Sequence, residues 1–203
     1  MIYLITYYFT KILSLLYFPR TVIGLDNIPS QGGVIFACNH ISNLDPPIMG
    51  ITSPRRLYYV AKDSLFKNKL LGFILKELWA FPIKRDESDF RAMRQTLRCL
   101  KTGHPVLIFP EGTRGAAGRI KEVQAGIGFI AAKSGMPVVP VFIHESDKVL
   151  PPKVKWFRRH SVRVVFGKPR IYLDPAQSYP SIAEEILRAI IALESKIKDK
   201  TSS

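Results

Sequence analysis

The stretch VIFACNHISNLD, residues 34–45, joins an apolar run to a polar turn, and the rest of the chain is organised around it. Its five leading apolar residues predict a strand buried on both faces, as in a parallel sheet covered by helices. His40 leaves the end of that strand, and the carboxylate of Asp45 follows five residues on. This pair suggests a general base and the group that orients it. Asp45 before Pro46 and Pro47 fits a helix cap equally well, with His40 an ordinary loop residue.

A second stretch of the same design, VLIFPEGTR at residues 106–114, follows about seventy residues later. Here too an apolar run ends in a polar turn that contains a glycine. Together NHISNLD and FPEGTR resemble the paired signatures of the glycerolipid acyltransferases, NHxSxxD and FPEGTR. The most similar type is the bacterial 1-acyl-sn-glycerol-3-phosphate acyltransferase, also called lysophosphatidic acid acyltransferase. The resemblance covers roughly residues 22–170.

The resemblance implies an O-acyltransferase with His40 as general base and Asp45 as the carboxylate that orients it. The enzyme would move a fatty acyl group from acyl-ACP or acyl-CoA to the sn-2 hydroxyl of 1-acylglycerol 3-phosphate, giving phosphatidic acid. The acceptor's own hydroxyl takes the role of the nucleophilic serine of a serine protease, so no acyl-enzyme is required. No metal and no cofactor beyond the acyl-CoA or acyl-ACP co-substrate is expected. Another lysophospholipid, glycerol 3-phosphate or a lyso-aminolipid fits the same signatures as acceptor.

The second signature supplies the residues that the resemblance assigns to the acceptor. Gly112, Thr113 and Arg114 are carried over as acceptor-binding, because glycine lets backbone approach a ligand and arginine makes a forked contact with phosphate. Two interpretations of Glu111 remain open, since it either holds Arg114 in place or contacts the acceptor's hydroxyl.

Three further residues are carried over as substrate-binding. Arg85 falls on the arginine of the family's third block, but Leu78-Trp79-Ala80 replace the glycine usually found a few residues earlier, which leaves the shape of that loop open. Lys62 resembles a lysine that approaches the reacting carbonyl, and a surface lysine is the competing interpretation. Ser42 fits a substrate contact and ordinary loop hydrogen bonding equally well.

Apolar runs and helical periodicities alternate along the chain and predict an α/β fold. We expect a single domain with a mixed, largely parallel sheet flanked by helices, of the glycerol-3-phosphate acyltransferase type. Pro140, inside the run 138–143, predicts an edge strand or a bulge there, and Ser181 predicts the start of the last helix. The predicted strands are 34–38, 57–61, 81–83, 105–109, 138–143 and 162–166, and the longer predicted helices are 66–78, 86–100 and 122–134.

Composition and charge limit the class of protein. The chain has 203 residues, of which 47% are hydrophobic and 23% charged, a profile that excludes a disordered chain. A formal charge of +14 calls for an anionic partner, and nucleic acid, an anionic membrane surface and phosphorylated substrates all satisfy it. The absence of an RNA-recognition aromatic pattern, zinc spacing or basic helix argues against nucleic acid. Cys38 and Cys99 are expected to be reduced, packed thiols.

The first eighteen residues, MIYLITYYFTKILSLLYF, are apolar and aromatic, and they lack the features of a cleaved signal peptide. We expect residues 1–20 to form a membrane-associated helix, with the acyltransferase domain at 21–203. Eighteen residues is the low edge for a spanning helix, so a helix lying in the cytoplasmic leaflet is favoured over a full span. A helix packed on the domain's own core is the alternative. The predicted location is the cytoplasmic face of the cell membrane, peripheral or monotopic.

Two further features of the sequence combine basic residues with a possible contact to lipid headgroups. Arg20 is placed to meet lipid headgroups. The segment Trp156-Phe157-Arg158-Arg159 combines aromatic and basic residues, and it fits contact with headgroups, a clamp on the donor's phosphates or a solvated loop. The expected partners are therefore lysophosphatidic acid, acyl-CoA or acyl carrier protein, and an anionic membrane surface, with no nucleic acid.

Overall fold

Seven strands occur in the part of the chain that the computed structural model describes, residues 2–84, 89–111, 125–151 and 156–195. They are β1 (Arg20–Ile23), β2 (Val34–Cys38), β3 (Tyr58–Lys62), β4 (Ala80–Ile83), β5 (Pro105–Ile108), β6 (Val138–His144) and β7 (Val162–Phe166). The same residues hold α-helices α1 (Ile2–Tyr17), α2 (Asp45–Thr52), α3 (Lys69–Glu77), α4 (Phe90–Lys101), α5 (Ala125–Ser134), α6 (Ser146–Val149) and α7 (Tyr179–Ile191).

The strands form one sheet in the order β1-β7-β6-β2-β5-β3-β4. Every neighbouring pair is parallel except β6 and β7, which run antiparallel. The predicted α/β fold with a mixed, largely parallel sheet is therefore confirmed. Strand β1 was not predicted, because its four residues, RTVI, are too few to show a pattern beside the long apolar helix.

Strand β2 lies at the centre of the sheet and is buried along its whole length, as its apolar sequence predicts. Its alternate side chains enter two different cores. Phe36 and Cys38 pack on one face with residues of α2 and with Phe18, whereas Ile35 and Ala37 pack on the other with residues of α4, α5 and α7. The helices thus cover both faces of the sheet, and the site described below is built at its edge.

The structure shows which residues cap the starts of α4 and α7. Asp89 caps α4 by accepting hydrogen bonds from the backbone N–H of Arg91 and Ala92, and the predicted start at residue 86 falls outside the described residues. Helix α7 begins at Tyr179, because Ser178 is the cap and accepts from the N–H of Ser181. The predicted start at Ser181 was therefore wrong, and Pro180 lies within the first turn, where its missing N–H costs nothing.

Pro140 marks neither an edge strand nor a bulge in the pairing with β2, so that prediction was wrong. Strand β6 lies third in the sheet, between β7 and β2, and Pro140 is in register with Ala37 of β2. The antiparallel pairing with β7 ends one residue later in β6, where Val141 faces Phe166. Gly167 follows, and its N–H donates to the Pro140 carbonyl at 2.8 Å. The proline ring therefore occupies space that a side chain at residue 167 would otherwise take.

Helix α1 places polar residues among its inner side chains and large apolar residues on its outer side. Thr10 and Ser14 are buried against the domain, with Ser14 only 1% exposed. Leu4, Ile5, Tyr8, Phe9, Ile12, Leu15 and Leu16 are each between 55% and 70% exposed. Packing on the domain alone would bury the apolar side, so the exposed side is suited to an apolar environment. None of the helices in the described residues is long and apolar enough to cross a membrane.

Arg20 does not face outward. Its guanidinium donates to the Ser14 hydroxyl at 2.7 Å and to the Ile51 carbonyl at 3.2 Å. It therefore joins the end of α1 to α2, which replaces the headgroup contact expected from the sequence.

Substitution of Gly167 by alanine is expected to destabilise the fold by about 1–3 kcal/mol, the usual range for overpacking. An added Cβ would lie 2.7 Å from the Pro140 Cγ and 3.2 Å from the Leu193 Cδ2. Urea unfolding of Gly167→Ala, Pro140→Ala and the double variant measures the effect. The double variant should lose less than the sum of the single losses, because the ring that clashes is gone. Strict additivity would contradict this account of Pro140.

Candidate active site

The carboxyl ends of five parallel strands meet at one edge of the sheet, the usual place for a ligand site in such folds. His40 follows β2, Lys62 ends β3, Lys84 follows β4 and Glu111 follows β5. Strand β6 ends at the same edge and is followed by Glu145 and Ser146. The topology thus brings residues from distant parts of the sequence to one place.

His40 and Asp45 form the pair that the sequence predicts. The Nδ1 atom of His40 lies 2.9 Å from Oδ2 of Asp45, whose side chain is wholly buried. The His40 ring stacks on Phe109 with a centroid separation of 4.2 Å and an interplanar angle of 24°. These contacts leave Nε2 as the nitrogen free for a reactant, since His40 lines the cavity described below.

The carboxylate of Asp45 organises the turn between β2 and α2. Its Oδ2 also accepts hydrogen bonds from the backbone N–H groups of Ile41 and Ser42, both at 2.8 Å. Asp45 is itself the first residue of α2, and the residue before the helix, Leu44, provides no side-chain cap. The interpretation of Asp45 as a helix cap is therefore wrong, because its carboxylate holds the preceding turn.

Ser146 completes the environment of Asp45, and the sequence did not predict this contact. Its hydroxyl donates to Oδ1 of Asp45 at 2.5 Å, and Ser146 is fully buried. The two residues are 101 positions apart, so spacing along the chain gives no sign of the pair. The sequence contained one indication of a role for Ser146. Like His40, Ser146 belongs to a group of polar residues that directly follows an apolar strand.

Asn39 and Ser42, the other polar residues of the first signature, are both 2% exposed. The Asn39 amide donates to the Ile143 carbonyl at 2.9 Å and accepts from the Ile143 N–H at 2.7 Å, which ties the turn to β6. The Ser42 hydroxyl accepts from the Leu44 N–H at 3.3 Å. These contacts match the loop interpretation of Ser42, and its substrate role stays a prediction.

Glu111 joins the two signatures directly. Its Oε1 accepts a hydrogen bond from the backbone N–H of His40 at 3.0 Å. The second turn is therefore in contact with the first, although neither sequence interpretation of Glu111 included this bond. The other predicted acceptor-binding residues, Arg85, Gly112, Thr113 and Arg114, lie outside the described residues, so their roles stay predictions.

An apolar cavity of about 310 Å³ opens beside His40. Its walls are the inner side of α1, the start of α2, and strand β3. Lys62 and His40 line the same cavity, and the Lys62 side chain is exposed. Tyr59 forms part of the wall, and burial raises the pKa of its phenol well above the ordinary value. The cavity is of the size and character of small-molecule sites.

A stacked group of aromatic rings and a guanidinium includes Tyr3, which also lines the cavity. The Arg56 guanidinium lies 4.0 Å from the Tyr3 ring centroid and 3.6 Å from the Trp79 ring centroid, so it joins α1 to β4. Trp79 has a φ of 63°, a left-handed conformation that glycine adopts most easily. Trp79 therefore takes the backbone conformation of a glycine, and stacking on Arg56 and Tyr58 offsets the strain of about 1–2 kcal/mol.

Cys38 is not available as a nucleophile. It is fully buried, and burial raises the pKa of its thiol well above the ordinary value, with the charges of Asp45 and Glu111 adding to the shift. The thiolate is the reactive form of cysteine, so chemistry at this edge falls to other groups.

Comparison with known proteins places the chain in a family. The family model described as acyltransferase matches residues 19–144. The 1-acyl-sn-glycerol-3-phosphate acyltransferase of Bacillus subtilis is 30% identical over 181 residues, which is 88% of this chain and 86% of that protein. The enzyme of the same name from Pseudomonas aeruginosa is 33% identical over 152 residues, 72% of this chain and 57% of the relative.

The chloroplast 1-acyl-sn-glycerol-3-phosphate acyltransferase of Brassica napus is 32% identical over 75% of this chain, and the match spans 45% of that longer protein. The crystal structure of the acyltransferase PlsC from Thermotoga maritima superposes with a TM-score of 0.76. That alignment covers 95% of this chain and 79% of the other at 24% identity, and it shows a shared fold. On the family model and these identities, the chain belongs to the acyltransferase family.

Proposed function

We propose that this protein transfers a fatty acyl group from acyl-ACP or acyl-CoA to the sn-2 hydroxyl of 1-acylglycerol 3-phosphate, giving phosphatidic acid. The observation that carries the proposal is the His40–Asp45 pair, with Nδ1 and Oδ2 2.9 Å apart and His40 in the wall of an apolar cavity. The names of the relatives support the choice of acceptor.

In the proposed reaction His40 acts as general base through Nε2. The acceptor's hydroxyl gives its proton to Nε2 as its oxygen attacks the thioester carbonyl. The tetrahedral intermediate collapses with loss of the C–S bond, and the imidazolium returns the proton to the departing thiolate. Asp45 keeps Nδ1 protonated and stabilises the imidazolium. The reaction forms an ester C–O bond and a thiol S–H bond, and it breaks the thioester C–S bond and the acceptor's O–H bond. No atom changes oxidation state, so no redox partner is needed.

Basic residues near His40 and Asp45 are proposed to bind the oxyanion of the intermediate and the phosphate of the acceptor. Lys62 lines the same cavity as His40 and carries the charge needed to stabilise the oxyanion of the intermediate. The bond from Glu111 to the His40 backbone brings the second signature against the first. The proposed placement of Arg114 and its neighbours, with Arg85, around the acceptor's phosphate rests on the resemblance to the family's signatures.

The cavity beside His40 is proposed to take an acyl chain. Its lining is mostly apolar, and one wall is the inner side of α1, formed by Tyr3, Thr6, Tyr7 and Thr10. A lipid bound there would lie between the domain and the helix whose outer side is apolar. A reactant could then pass from bilayer to His40 without exposing its hydrocarbon to water.

The outer side of α1 is proposed to lie in the cytoplasmic leaflet of the cell membrane. Burying its seven exposed apolar side chains in lipid removes a large apolar surface from water. The aromatic and basic segment from Trp156 adjoins this side, since Phe157 packs on Tyr17 with a centroid separation of 5.7 Å. Trp156 is 80% exposed, and Arg158 and Arg159 are exposed beside it. These residues are proposed to contact anionic headgroups.

Substitution of His40 by alanine is expected to lower the rate of acyl transfer at least about 100-fold, the lower end for loss of a general base. The assay follows phosphatidic acid formed from an acyl thioester and lysophosphatidic acid. His104→Ala is the matched control, because His104 precedes β5 at the opposite end of the strands. A wild type without activity, or a His40→Ala variant equal to it, would refute the proposal. Glycerol 3-phosphate and other lyso-lipids offered to the same protein identify the acceptor.

Replacing Phe9 and Ile12 on α1 by glutamine is expected to weaken binding to lipid vesicles by about tenfold or more, because large apolar side chains leave the lipid. Co-sedimentation with vesicles measures the effect. The control variant is Ile171→Gln/Leu173→Gln, whose side chains are 58% and 72% exposed but lie after β7, away from α1. Equal binding by the two variants would contradict the proposed membrane contact.

The Arg158→Gln/Arg159→Gln variant is expected to bind anionic vesicles roughly 25-fold more weakly, at about 1 kcal/mol for each basic residue near the surface. Binding to phosphatidylcholine vesicles should change little. Arg94→Gln/Arg98→Gln on α4, at the other face of the sheet, is the control with the same charge change. If the KM for acyl-CoA rises while vesicle binding stays constant, the two arginines hold the donor's phosphates instead.

A further inference from the structure

We propose that Ser146 is a positioning residue of the reaction, which acts through Asp45 to hold the His40 ring in its working orientation. The inference rests on the proposed role of His40 as general base. It comes from the distribution of hydrogen bonds around one buried carboxylate, and it concerns a residue outside both sequence signatures.

The two oxygens of the Asp45 carboxylate are bonded very unequally. Oδ2 accepts from His40 Nδ1 and from two backbone N–H groups of the turn. Oδ1 accepts from the Ser146 hydroxyl, and no other donor among the described residues reaches it. Asp45 is 0% exposed, so a carboxylate without Ser146 would keep a buried charged oxygen that lacks this partner. Such an atom carries a large desolvation cost.

Ser146 adds a restraint on the plane of the carboxylate. Rotation about the Cβ–Cγ bond moves both oxygens, so the donors on Oδ2 and the Ser146 hydroxyl on Oδ1 oppose it together, and loss of Ser146 leaves Oδ1 unrestrained. Because Oδ2 holds Nδ1 of His40, rotation of the carboxylate would move the imidazole and its Nε2. Misplacement of a catalytic group by about 1 Å can cost about 100-fold in rate.

The backbone that carries Ser146 is held in turn by charged side chains. Glu145, between β6 and Ser146, has a φ of 65°, a strained conformation for a residue with a side chain. Its carboxylate contacts Lys148 and lies 3.0 Å from Nε2 of His160. Burial would raise the pKa of Glu145, but hydrogen bonds from Lys148 and His160 outweigh it and lower the pKa to about 2. The Glu145 carboxylate thus links the turn that carries Ser146 to His160, two residues before β7.

The test compares Ser146→Ala with Ser146→Thr, which retains a hydroxyl. The alanine variant should lower kcat by about 10- to 100-fold with little change in KM, because substrate contacts remain. The threonine variant should recover most of the loss. The matched control is Thr96→Val, which also removes a buried hydroxyl, but one that donates to the Ala92 carbonyl within α4. It should affect stability and leave kcat unchanged.

The proton on His40 Nδ1 gives a readout without turnover. Its NMR resonance reports the hydrogen bond to Asp45, and His40→Ala assigns it. Ser146→Ala should shift or broaden this resonance, whereas Thr96→Val should not. Should the alanine variant fail to fold, Ser146→Cys replaces it, because a thiol is of similar size and a weak donor. The same loss of kcat and change in resonance are then expected.

The outcomes separate this inference from the proposed function. An inactive wild type, or full activity in His40→Ala, would refute the general-base proposal itself. An active wild type and a disabled His40→Ala, together with a kcat and an Nδ1 resonance unchanged in Ser146→Ala, would overturn the role of Ser146 alone.

Discussion

The site depends on the hydrogen bonds of one buried carboxylate, that of Asp45. This carboxylate accepts hydrogen bonds from His40, from the turn after β2 and from Ser146 after β6. Removing a charge from water is costly unless it is well bonded, so the turn, the start of α2 and the end of β6 must all hold their places for Asp45 to be buried. The parallel sheet makes this possible, because β2 and β6 are neighbours that end at the same edge. The geometry of the histidine is thus a consequence of strand order.

Much of the fold follows from periodicity and apolar runs. Strands β2 and β7 have the bounds that the sequence predicts, because each is a continuous apolar or alternating run bounded by polar residues. The prediction fails where a tertiary contact overrides a local rule. Pro140 lies in a central strand because Gly167 leaves room for its ring, and no local pattern shows which residue faces a proline. Trp79 adopts a glycine-like φ because stacking on Arg56 holds it there.

The site was predictable where its residues are near in sequence and not where they are distant. The His40–Asp45 pair is five residues apart and was identified. The bonds from Glu111 to His40 and from Ser146 to Asp45 connect residues 71 and 101 positions apart, and they appear only when the strand order is known. Likewise, an apolar N-terminal helix was evident from composition. The sequence did not show that Thr10 and Ser14 face the domain while the large apolar side chains face outward, because this depends on how the helix packs.

The central claim is that His40 receives the proton of a lipid hydroxyl beside the apolar cavity. A crystal structure of the protein with lysophosphatidic acid, and without an acyl donor, tests it most directly. The account predicts the sn-2 hydroxyl within about 2.6–3.2 Å of His40 Nε2, the range for a general base and its substrate. It also predicts hydrocarbon in the cavity between α1 and β3. A bound lipid whose hydroxyl lies out of reach of His40, with the cavity empty, would contradict it.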